Sequence, residues 1–267
     1  MGSKTQTGII MGVANQRSLA TGIATQLHAQ GARMGFSYLP DTSGKMQHRV
    51  EKAIEGFPSL FLEPCNVGAD ADIEAFFQKA QSYTPTIDFL LHSIAFAPLE
   101  DIRCPTVEAS RQGFLTAMDI SVYSFIATAK HAATLMPNGG SILTLSYFGG
   151  EKVVAGYNLM GVAKAALEAA VRYLAYDLGP KNIRVNAISA GVMKTLAASA
   201  VGDFSQMLGS HAATAPLQRN VTLEEIGNTA AFLLSPAGSG ITGEVVHVDG
   251  GYHIMGSPSR ACEKKEA

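Results

Sequence analysis

A tyrosine and a lysine seven positions apart, Tyr157 and Lys164, are the residues whose types and spacing most directly suggest chemistry. In a helix, at about 100° per residue, they lie two turns apart and within about 20° of each other on one face. A phenol near a fixed ammonium has its ionised form favoured, and it becomes a better hydrogen-bond donor to a developing oxyanion. The pair therefore predicts a site that stabilises negative charge on a substrate oxygen, although such a pair also arises by chance.

Two neighbours of this pair are candidates for the same pocket. Tyr147 follows Ser146 at the end of the fifth predicted strand, which is where a parallel sheet places its site residues. Met160 lies three positions after Tyr157 on the same helical face. It can form an apolar wall of that pocket, but methionine at helical spacing is more often ordinary core packing.

A glycine-containing turn between the first predicted strand and the first predicted helix is a second functional signal. Gly12 can form the tight turn, Ser18 can direct its hydroxyl and amide to phosphate oxygens, and Gly22 allows close helix–strand contact. Backbone amides at the positive end of a helix favour a pyrophosphate. Because the spacing is not GxGxxG, a turn without a ligand, in which glycine is needed for positive φ, stays open as an alternative.

The composition excludes several classes of protein. With 267 residues, 47% of them hydrophobic and 16% charged, the chain can bury a sizeable core, which excludes a disordered protein. A formal net charge of −2 with scattered Lys and Arg argues against a nucleic-acid partner. Because no run of about 18 apolar residues and no secretory signal is recognisable, we expect no membrane association.

The cysteines and histidines suggest neither a disulfide framework nor a metal site. The three cysteines, Cys65, Cys104 and Cys262, are far apart and lack CxxC spacing, which fits the reducing cytoplasm. The seven histidines never form HExxH or a comparable ligand spacing, so we expect no metal.

Short β-prone apolar runs alternate with longer segments of helical period. This pattern predicts a single-domain α/β fold, a Rossmann-like, doubly wound sheet of about seven parallel strands flanked by helices. The predicted strands are Gly8–Met11, Arg33–Tyr38, Ser59–Pro64, Ile87–His92, Ser141–Ser146, Arg184–Ile188 and Val245–Val248. The predicted helices lie near 19–30, 43–55, 70–82, 108–135, 157–178 and 222–234.

The domain is predicted to span residues 1–256, and two stretches fall outside the alternation. Leu196–Gln218, rich in Ala, Ser and Met, is interpreted as a mobile lid over a pocket. The polar residues 257–267 are predicted to be a disordered tail.

Taken together, the motifs resemble the enoyl-acyl-carrier-protein reductases of bacterial-type fatty-acid synthesis, a divergent branch of the short-chain dehydrogenase/reductase superfamily. The resemblance extends from Gly12 to Gly251. Each motif is moderately specific, and their order together is highly specific. They are the Gly12…Ser18-Leu19-Ala20…Gly22 loop, His92–Pro98, Leu145-Ser146-Tyr147 with Tyr157-x6-Lys164, Ser189–Gly191 through Thr195–Ser199, and Gly243–Gly251.

The resemblance implies reduction of the carbon–carbon double bond of trans-2-enoyl thioesters on acyl-carrier protein, with NADH as the hydride donor, by a cytoplasmic homotetramer. It implies that Tyr157 donates to the thioester oxygen, that Lys164 anchors the nicotinamide ribose, and that Tyr147 lines the same site. The other implied cofactor contacts are Gly12, Ser18, Leu19, Asn66, Val67, Ile94, Met193, Lys194, Thr195, Leu196 and Ala197. The residues expected to bind the acyl substrate, besides the two tyrosines, are Ala97, Met160, Phe204 and Met207.

Two positions depart from the pattern of the family. Asn66 stands where many relatives carry aspartate, and its side-chain oxygen can still accept from the adenine amine, but without a full charge. Leu39 stands after the second strand where a polar residue is common. Within 38–41 there is no Arg or Lys to pair with a 2′-phosphate, so NADH is preferred, whereas NADPH remains possible through Lys45 or Arg17.

Two other functions compete with this interpretation. A short-chain ketone or alcohol dehydrogenase uses the same fold and cofactor, but ordinary members of that superfamily carry the tyrosine four residues before the lysine. No tyrosine in this chain has a lysine at i+4. A dinucleotide-binding sensor without catalysis predicts loss of the donor or of the anchor, and Tyr157 and Lys164 are both present.

Overall fold

Seven strands and nine α-helices lie in the part of the chain that a computed structural model describes, residues 5–193 and 204–257. The strands are β1 Thr7–Met11, β2 Arg33–Tyr38, β3 Ser59–Pro64, β4 Phe89–His92, β5 Gly140–Ser146, β6 Ile183–Ala190 and β7 Val245–Val248. The helices are α1 Leu19–Ala29, α2 Lys45–Ile54, α3 Asp70–Tyr83, α4 Leu99–Arg103, α5 Arg111–Met118, α6 Ser124–Thr134, α7 Asn158–Leu178, α8 Phe204–Thr214 and α9 Leu223–Leu234.

The strands form a single parallel sheet in the order β3-β2-β1-β4-β5-β6-β7. This is the doubly wound, Rossmann-like arrangement predicted from the sequence. The strand order reverses between β1 and β4, where Gly8 pairs with Phe89 and Met11 with His92. In such sheets the crevice at the carboxyl ends of the two strands is the usual ligand site.

The sheet separates two hydrophobic cores because successive residues of a strand point to opposite faces. In β1, Ile9 and Met11 pack into the core that α3, α6 and α7 cover, whereas Ile10 packs into the core that α1, α2 and α9 cover. All three side chains are fully buried. Burial on both faces explains why this strand is a continuous apolar run instead of an alternating one.

The predicted helix over 108–135 is confirmed as continuous helix over residues 111–134, but it contains a π-helical turn that was not predicted. The structure has α5, then a π-helical turn at Asp119–Tyr123, and then α6. In this region Ser124 Oγ donates to Ile120 O at 2.7 Å, while Ser121 Oγ bonds to the backbone of Phe96. Hydrophobic periodicity does not reveal such a widened turn.

Other boundaries differ by a few residues. The strand predicted from Ile87 begins at Phe89, β6 continues to Ala190, and the short helix α4 was not predicted.

The predicted lid Leu196–Gln218 contains the helix α8. Its assignment outside the alternation of strands and helices is therefore wrong over α8, whose Ala, Leu and Met residues are good helix formers. Residues 194–203 and 258–267 lie outside the described residues, and the division into a domain and a tail stays a prediction.

None of the helices within residues 5–193 and 204–257 is long and apolar enough to cross a membrane.

Helices α1 and α9 cross at a pair of glycines, Gly22 and Gly227. A Cβ atom added at Gly227 would lie 2.8 Å from Gly22 O and 2.5 Å from Gln26 Cγ. A Cβ added at Gly22 would lie 2.9 Å from Leu223 Cβ. The close approach brings α9 against the first turns of α1, which directly follow the candidate phosphate loop.

We predict that Gly227→Ala destabilises the protein by about 1–3 kcal/mol, because the new methyl group overpacks the helix crossing. The matched control is Gly209→Ala in α8, where an added Cβ meets nothing within 4 Å. There the higher helix propensity of alanine should stabilise by a few tenths to about 1 kcal/mol. Urea unfolding followed by circular dichroism measures both, and equal changes in the two variants would contradict the tight crossing.

Candidate active site

The turn after β1 has the backbone geometry that only glycine adopts easily. Gly12 has φ +97°, and a Cβ there would lie 2.0 Å from Ser93 O. The turn and the segment after β4 are also joined by the bond from Ser93 N to Met11 O at 2.9 Å. The loops that follow β1 and β4 therefore form the two sides of one crevice.

Helix α1 starts at the edge of this crevice with its N-terminus available to an anion. Ser18 is the N-cap residue, but its side chain makes no capping hydrogen bond to the helix. Its hydroxyl donates to Asn15 O at 2.7 Å and contacts Thr21 Oγ1 at 2.8 Å. Leu19, the first helical residue, packs half-buried against the core. The positive end of the helix dipole at this point favours a phosphate.

The segment after β4 is held from behind by the π-helical turn. Ser121 is fully buried, and its Oγ accepts from Phe96 N at 3.0 Å and donates to Phe96 O at 3.1 Å. Ile94 and Ala97, on either side of Phe96, pack into the core, and Ala97 is buried. Because one hydroxyl satisfies both backbone groups of Phe96, the loop has a defined shape at the crevice.

The residues expected at the adenine lie after β3. Val67 is buried, and Asn66 Oδ1 accepts from Gly68 N at 3.1 Å. A carbonyl oxygen has two lone pairs, so Asn66 Oδ1 can accept a second hydrogen bond.

Tyr147 and Tyr157 are brought together at the carboxyl end of β5. Their rings meet edge to face, with centroids 4.8 Å apart. Burial raises the pKa of Tyr147 to about 12, and it also raises the pKa of Tyr157, with Tyr147 and Glu168 adding to that shift. The expectation that the nearby ammonium favours the ionised phenol is therefore wrong for the protein alone, because burial has the larger effect. The Tyr157 phenol therefore keeps its proton.

The position of Tyr157 differs from the predicted one. It lies at the N-cap of α7 instead of within the helix, and the next residue, Asn158, has φ +39°. Its ring lies against the backbone of Gly149, where an added Cβ would be 2.4 Å from Tyr157 Cδ1. The approach of Tyr157 to the end of β5 is thus set by this turn and by a glycine, not by helical periodicity alone.

Lys164 lies on α7 with its ammonium buried behind the end of β5. Its exposed fraction is 6%, and Nζ donates to Leu145 O at 2.7 Å. Burial lowers the pKa of Lys164 to about 8, and the charge of Glu168 partly offsets that shift. An ammonium has three donors, so N–H groups remain for a ligand in the crevice.

A family model described as Enoyl-(Acyl carrier protein) reductase matches residues 12–253 of the chain, which include all of these side chains. The chain belongs to this family. A relative from Nostoc sp., an enoyl-(acyl-carrier-protein) reductase (NADH), is 52% identical over 252 residues, which cover 94% of this chain and 97% of the relative.

Two solved structures of the family are similar over nearly the whole chain. The reductase from Anaplasma phagocytophilum, in complex with NAD, has a TM-score of 0.91 and 47% identity, and covers 96% of each chain. The reductase from Bacillus cereus, with NADP+ and indole naphthyridinone, has a TM-score of 0.90 and 48% identity, and covers 94% of this chain and 98% of that one.

The residues expected around the acyl substrate lie on both sides of the tyrosine pair. Met160 is buried in the core against which Tyr157 packs, and Met207 Sδ, on α8, lies 4.0 Å from the Tyr147 hydroxyl. Met193, an expected cofactor contact, is half-buried against the core that α1, α2 and α9 cover. Phe204 begins α8, but its side chain is outside the described part of the structure. Lys194, Thr195, Leu196 and Ala197 lie outside the described residues as well.

Two further residues of this family member border the site and were not predicted from the sequence. Glu168, buried one turn after Lys164, accepts a hydrogen bond from the Ser146 hydroxyl, and burial raises its pKa. Tyr252 stacks on His211 with ring centroids 4.1 Å apart and contributes to the raised pKa of Tyr147. The i+4 spacing of Glu168 from Lys164 was a usable signal; for Tyr252 no local signal exists.

His92 is a buried structural residue beneath the site. Its Nε2 lies 2.8 Å from Ser124 Oγ, and its Nδ1 lies 3.2 Å from Thr144 Oγ1. Burial lowers the pKa of His92 to about 3, so the ring is neutral. The described residues contain no group of three or more His, Cys, Asp or Glu side chains that could hold a metal.

Proposed function

We propose that this chain reduces the carbon–carbon double bond of trans-2-enoyl thioesters on acyl-carrier protein, with NADH as the hydride donor, in fatty-acid elongation. The observation that carries the proposal is the neutral Tyr157 phenol in edge contact with Tyr147, with the buried Lys164 seven residues further on. Two relatives that are 52% and 49% identical to this chain, each over 94% of its length, are named enoyl-(acyl-carrier-protein) reductase (NADH).

The crevice suits a dinucleotide. The positive-φ turn at Gly12 brings backbone to the start of α1, whose N-cap Ser18 makes no capping bond, and this end can hold a pyrophosphate. We assign Leu19 to the same phosphate loop, Asn66 and Val67 to the adenine, and Ile94 to the ribose. Met193, Lys194, Thr195, Leu196 and Ala197 are assigned to the nicotinamide and phosphates. Bound NADH would supply the hydride.

Tyr157 stabilises the charge that develops on the substrate. When hydride adds to the β-carbon of the enoyl thioester, negative charge moves to the thioester oxygen as an enolate, and a proton added at the α-carbon then completes the reduction. The raised pKa keeps Tyr157 protonated, so its hydroxyl can donate to that oxygen. A preorganised donor of this kind typically lowers the barrier by about 3–4 kcal/mol.

Lys164 acts on the cofactor side. Its ammonium is fixed by the bond to Leu145 O, which leaves donors for the ribose hydroxyls. Ala97, Met160, Phe204 and Met207, together with Tyr147, form the proposed acyl channel; Ala97 and Met160 belong to the core that Tyr157 contacts. An apolar channel favours an acyl chain because it removes apolar surface from water.

The alternative functions receive less support. A ketone or alcohol dehydrogenase requires the shorter tyrosine–lysine spacing, which the chain lacks. A sensor that only binds the dinucleotide does not need a buried phenol in contact with a second tyrosine.

We further propose that the enzyme is a cytoplasmic homotetramer whose macromolecular partner is acyl-carrier protein. The resemblance to the family supports the tetramer and the carrier protein. The widely spaced cysteines are compatible with a reducing compartment, and Cys65 and Cys104 are free thiols.

We predict that Tyr157→Phe and Lys164→Ala damage different steps. Removing the phenol hydroxyl should lower kcat about 100- to 1000-fold with little change in NADH affinity. Lys164→Ala should instead weaken NADH binding strongly, since it removes the ribose anchor. Steady-state kinetics with crotonyl thioester and calorimetric titration with NADH separate the two, and unchanged NADH affinity in Lys164→Ala would refute the anchor role.

The affinity for NADH should fall as pH rises through the Lys164 pKa of about 8. Below that pH the ammonium is charged and holds the ribose; above it the folded protein loses the charge. We expect Kd to rise about three- to tenfold between about pH 7 and about pH 9. Lys164→Met is the control. It should bind NADH more weakly than the wild type, with a Kd that does not vary between about pH 7 and about pH 9. A Kd that rises with pH as steeply as that of the wild type would assign the titration to another group.

NADH should be preferred over NADPH by at least about tenfold in kcat/KM, which corresponds to about 1.4 kcal/mol. Asp41, shortly after β2, accepts from Ser43 Oγ, Lys45 N and Met46 N, and the hydrogen bonds lower its pKa, so it stays ionised. A 2′-phosphate would meet this charge. Asp41→Asn should therefore lower the ratio of kcat/KM with NADH to kcat/KM with NADPH. Equal efficiency in the wild type would instead indicate Lys45 or Arg17 as phosphate partners.

A further inference from the structure

Asn158, the residue that follows Tyr157, has an unusual backbone conformation. Its φ of +39° lies in the left-handed region, which costs energy for a residue with a Cβ. Gly156, on the other side of Tyr157, also has positive φ, +79°. The proposed donor is therefore flanked by two residues of left-handed conformation, so that its backbone belongs to a tight turn and not to the helix. Strained backbone of this kind persists only where the surroundings stabilise it.

The side chain of Asn158 supplies that stabilisation. Nδ2 donates to Ile102 O and to Cys104 O, each at 2.8 Å. Both acceptors are carbonyl oxygens at the C-terminal end of α4, so only the NH₂ group of the amide can face them, and its orientation is determined. A short polar side chain also tolerates the left-handed region better than most. Asparagine thus both donates to the two carbonyl oxygens and tolerates the positive φ of this position.

These two hydrogen bonds connect the two parts of the site that meet the acyl thioester. Helix α4 directly follows Ala97 and Pro98, and Ile102 N and Asp101 N both donate to Pro98 O at 3.1 Å. On the other side, Tyr157 N donates to Val154 O and Met160 N to Tyr157 O, each at 3.0 Å. The amide therefore joins the turn that contains Tyr157 to the segment that follows Ala97.

We infer that Asn158 is a positioning residue, which holds the Tyr157 hydroxyl at the distance from the Ala97 segment that a thioester oxygen requires. It acts through Tyr157 and does not itself touch the reacting atoms. The inference rests on the proposed function, because it assumes that Tyr157 is the donor to the substrate. A displacement of about 1 Å in such a donor is enough to reduce the rate by orders of magnitude.

The decisive variant is Asn158→Gly, which keeps positive φ accessible but removes both donors. We expect kcat with crotonyl thioester and NADH to fall at least about tenfold, while the Kd for NADH stays within about twofold. Asn158→Asp retains the shape of the side chain and places carboxylate oxygens against the two carbonyls, so its kcat should fall at least as far. The matched control is Asn182→Gly: Asn182 also has positive φ, +56°, but lies beyond the other end of α7 and should keep its kcat.

A double-mutant cycle with Tyr157→Phe distinguishes positioning from general structural damage. If Asn158 acts through the phenol hydroxyl, the double variant should have the kcat of Tyr157→Phe within about twofold. If the kcat losses of the two single variants multiply in the double variant, the inference is overturned and the proposed function stays intact. The same holds if Asn158→Gly has wild-type kcat. Wild-type kcat in Tyr157→Phe itself would refute the proposed role of that tyrosine, and the inference with it.

Discussion

Burial of ionisable groups at the carboxyl edge of a parallel sheet is the constraint on which the site depends. Removal from water raises the pKa of Tyr157 and lowers that of Lys164 to about 8, so the phenol keeps its proton and the ammonium lies close to neutralisation. The low-polarity surroundings also strengthen every hydrogen bond made there. The bond from Nζ to Leu145 O offsets part of the cost of burying the ammonium.

A layer of buried polar side chains beneath the crevice gives the site its rigidity. His92 and Ser124 join the end of β4 to α6, while Ser121 satisfies both backbone groups of Phe96. Ser146 and Glu168 join the end of β5 to α7. Among the described residues, no buried side-chain nitrogen or oxygen lacks a hydrogen-bond partner. A satisfied network of this kind specifies one arrangement of the loops, since any displacement leaves a buried polar group unpaired.

Elements that are distant in the sequence also contribute to the surroundings of the tyrosine pair, Tyr147 and Tyr157. Met207 of α8 touches the Tyr147 hydroxyl, and Tyr252, after β7, stacks on His211 of the same helix. The helix that was missed within the predicted lid is thus in contact with the tyrosine pair. Because Tyr252 contributes to the pKa shift of Tyr147, the C-terminal segment contributes to the electrostatics of the site.

The sequence by itself determined the order and type of most elements, because apolar runs buried on both faces of a parallel sheet differ from amphipathic helices in their periodicity. It also determined the family, through motifs such as Tyr157-x6-Lys164 that local spacing preserves. Only the tertiary structure decided how Tyr157 is held. Its turn depends on Gly149 and on the amide of Asn158, whose partners lie more than 50 residues away. Likewise, the direction of the Tyr157 pKa shift depends on burial, which arises from packing between distant segments and leaves no periodic signal in the chain.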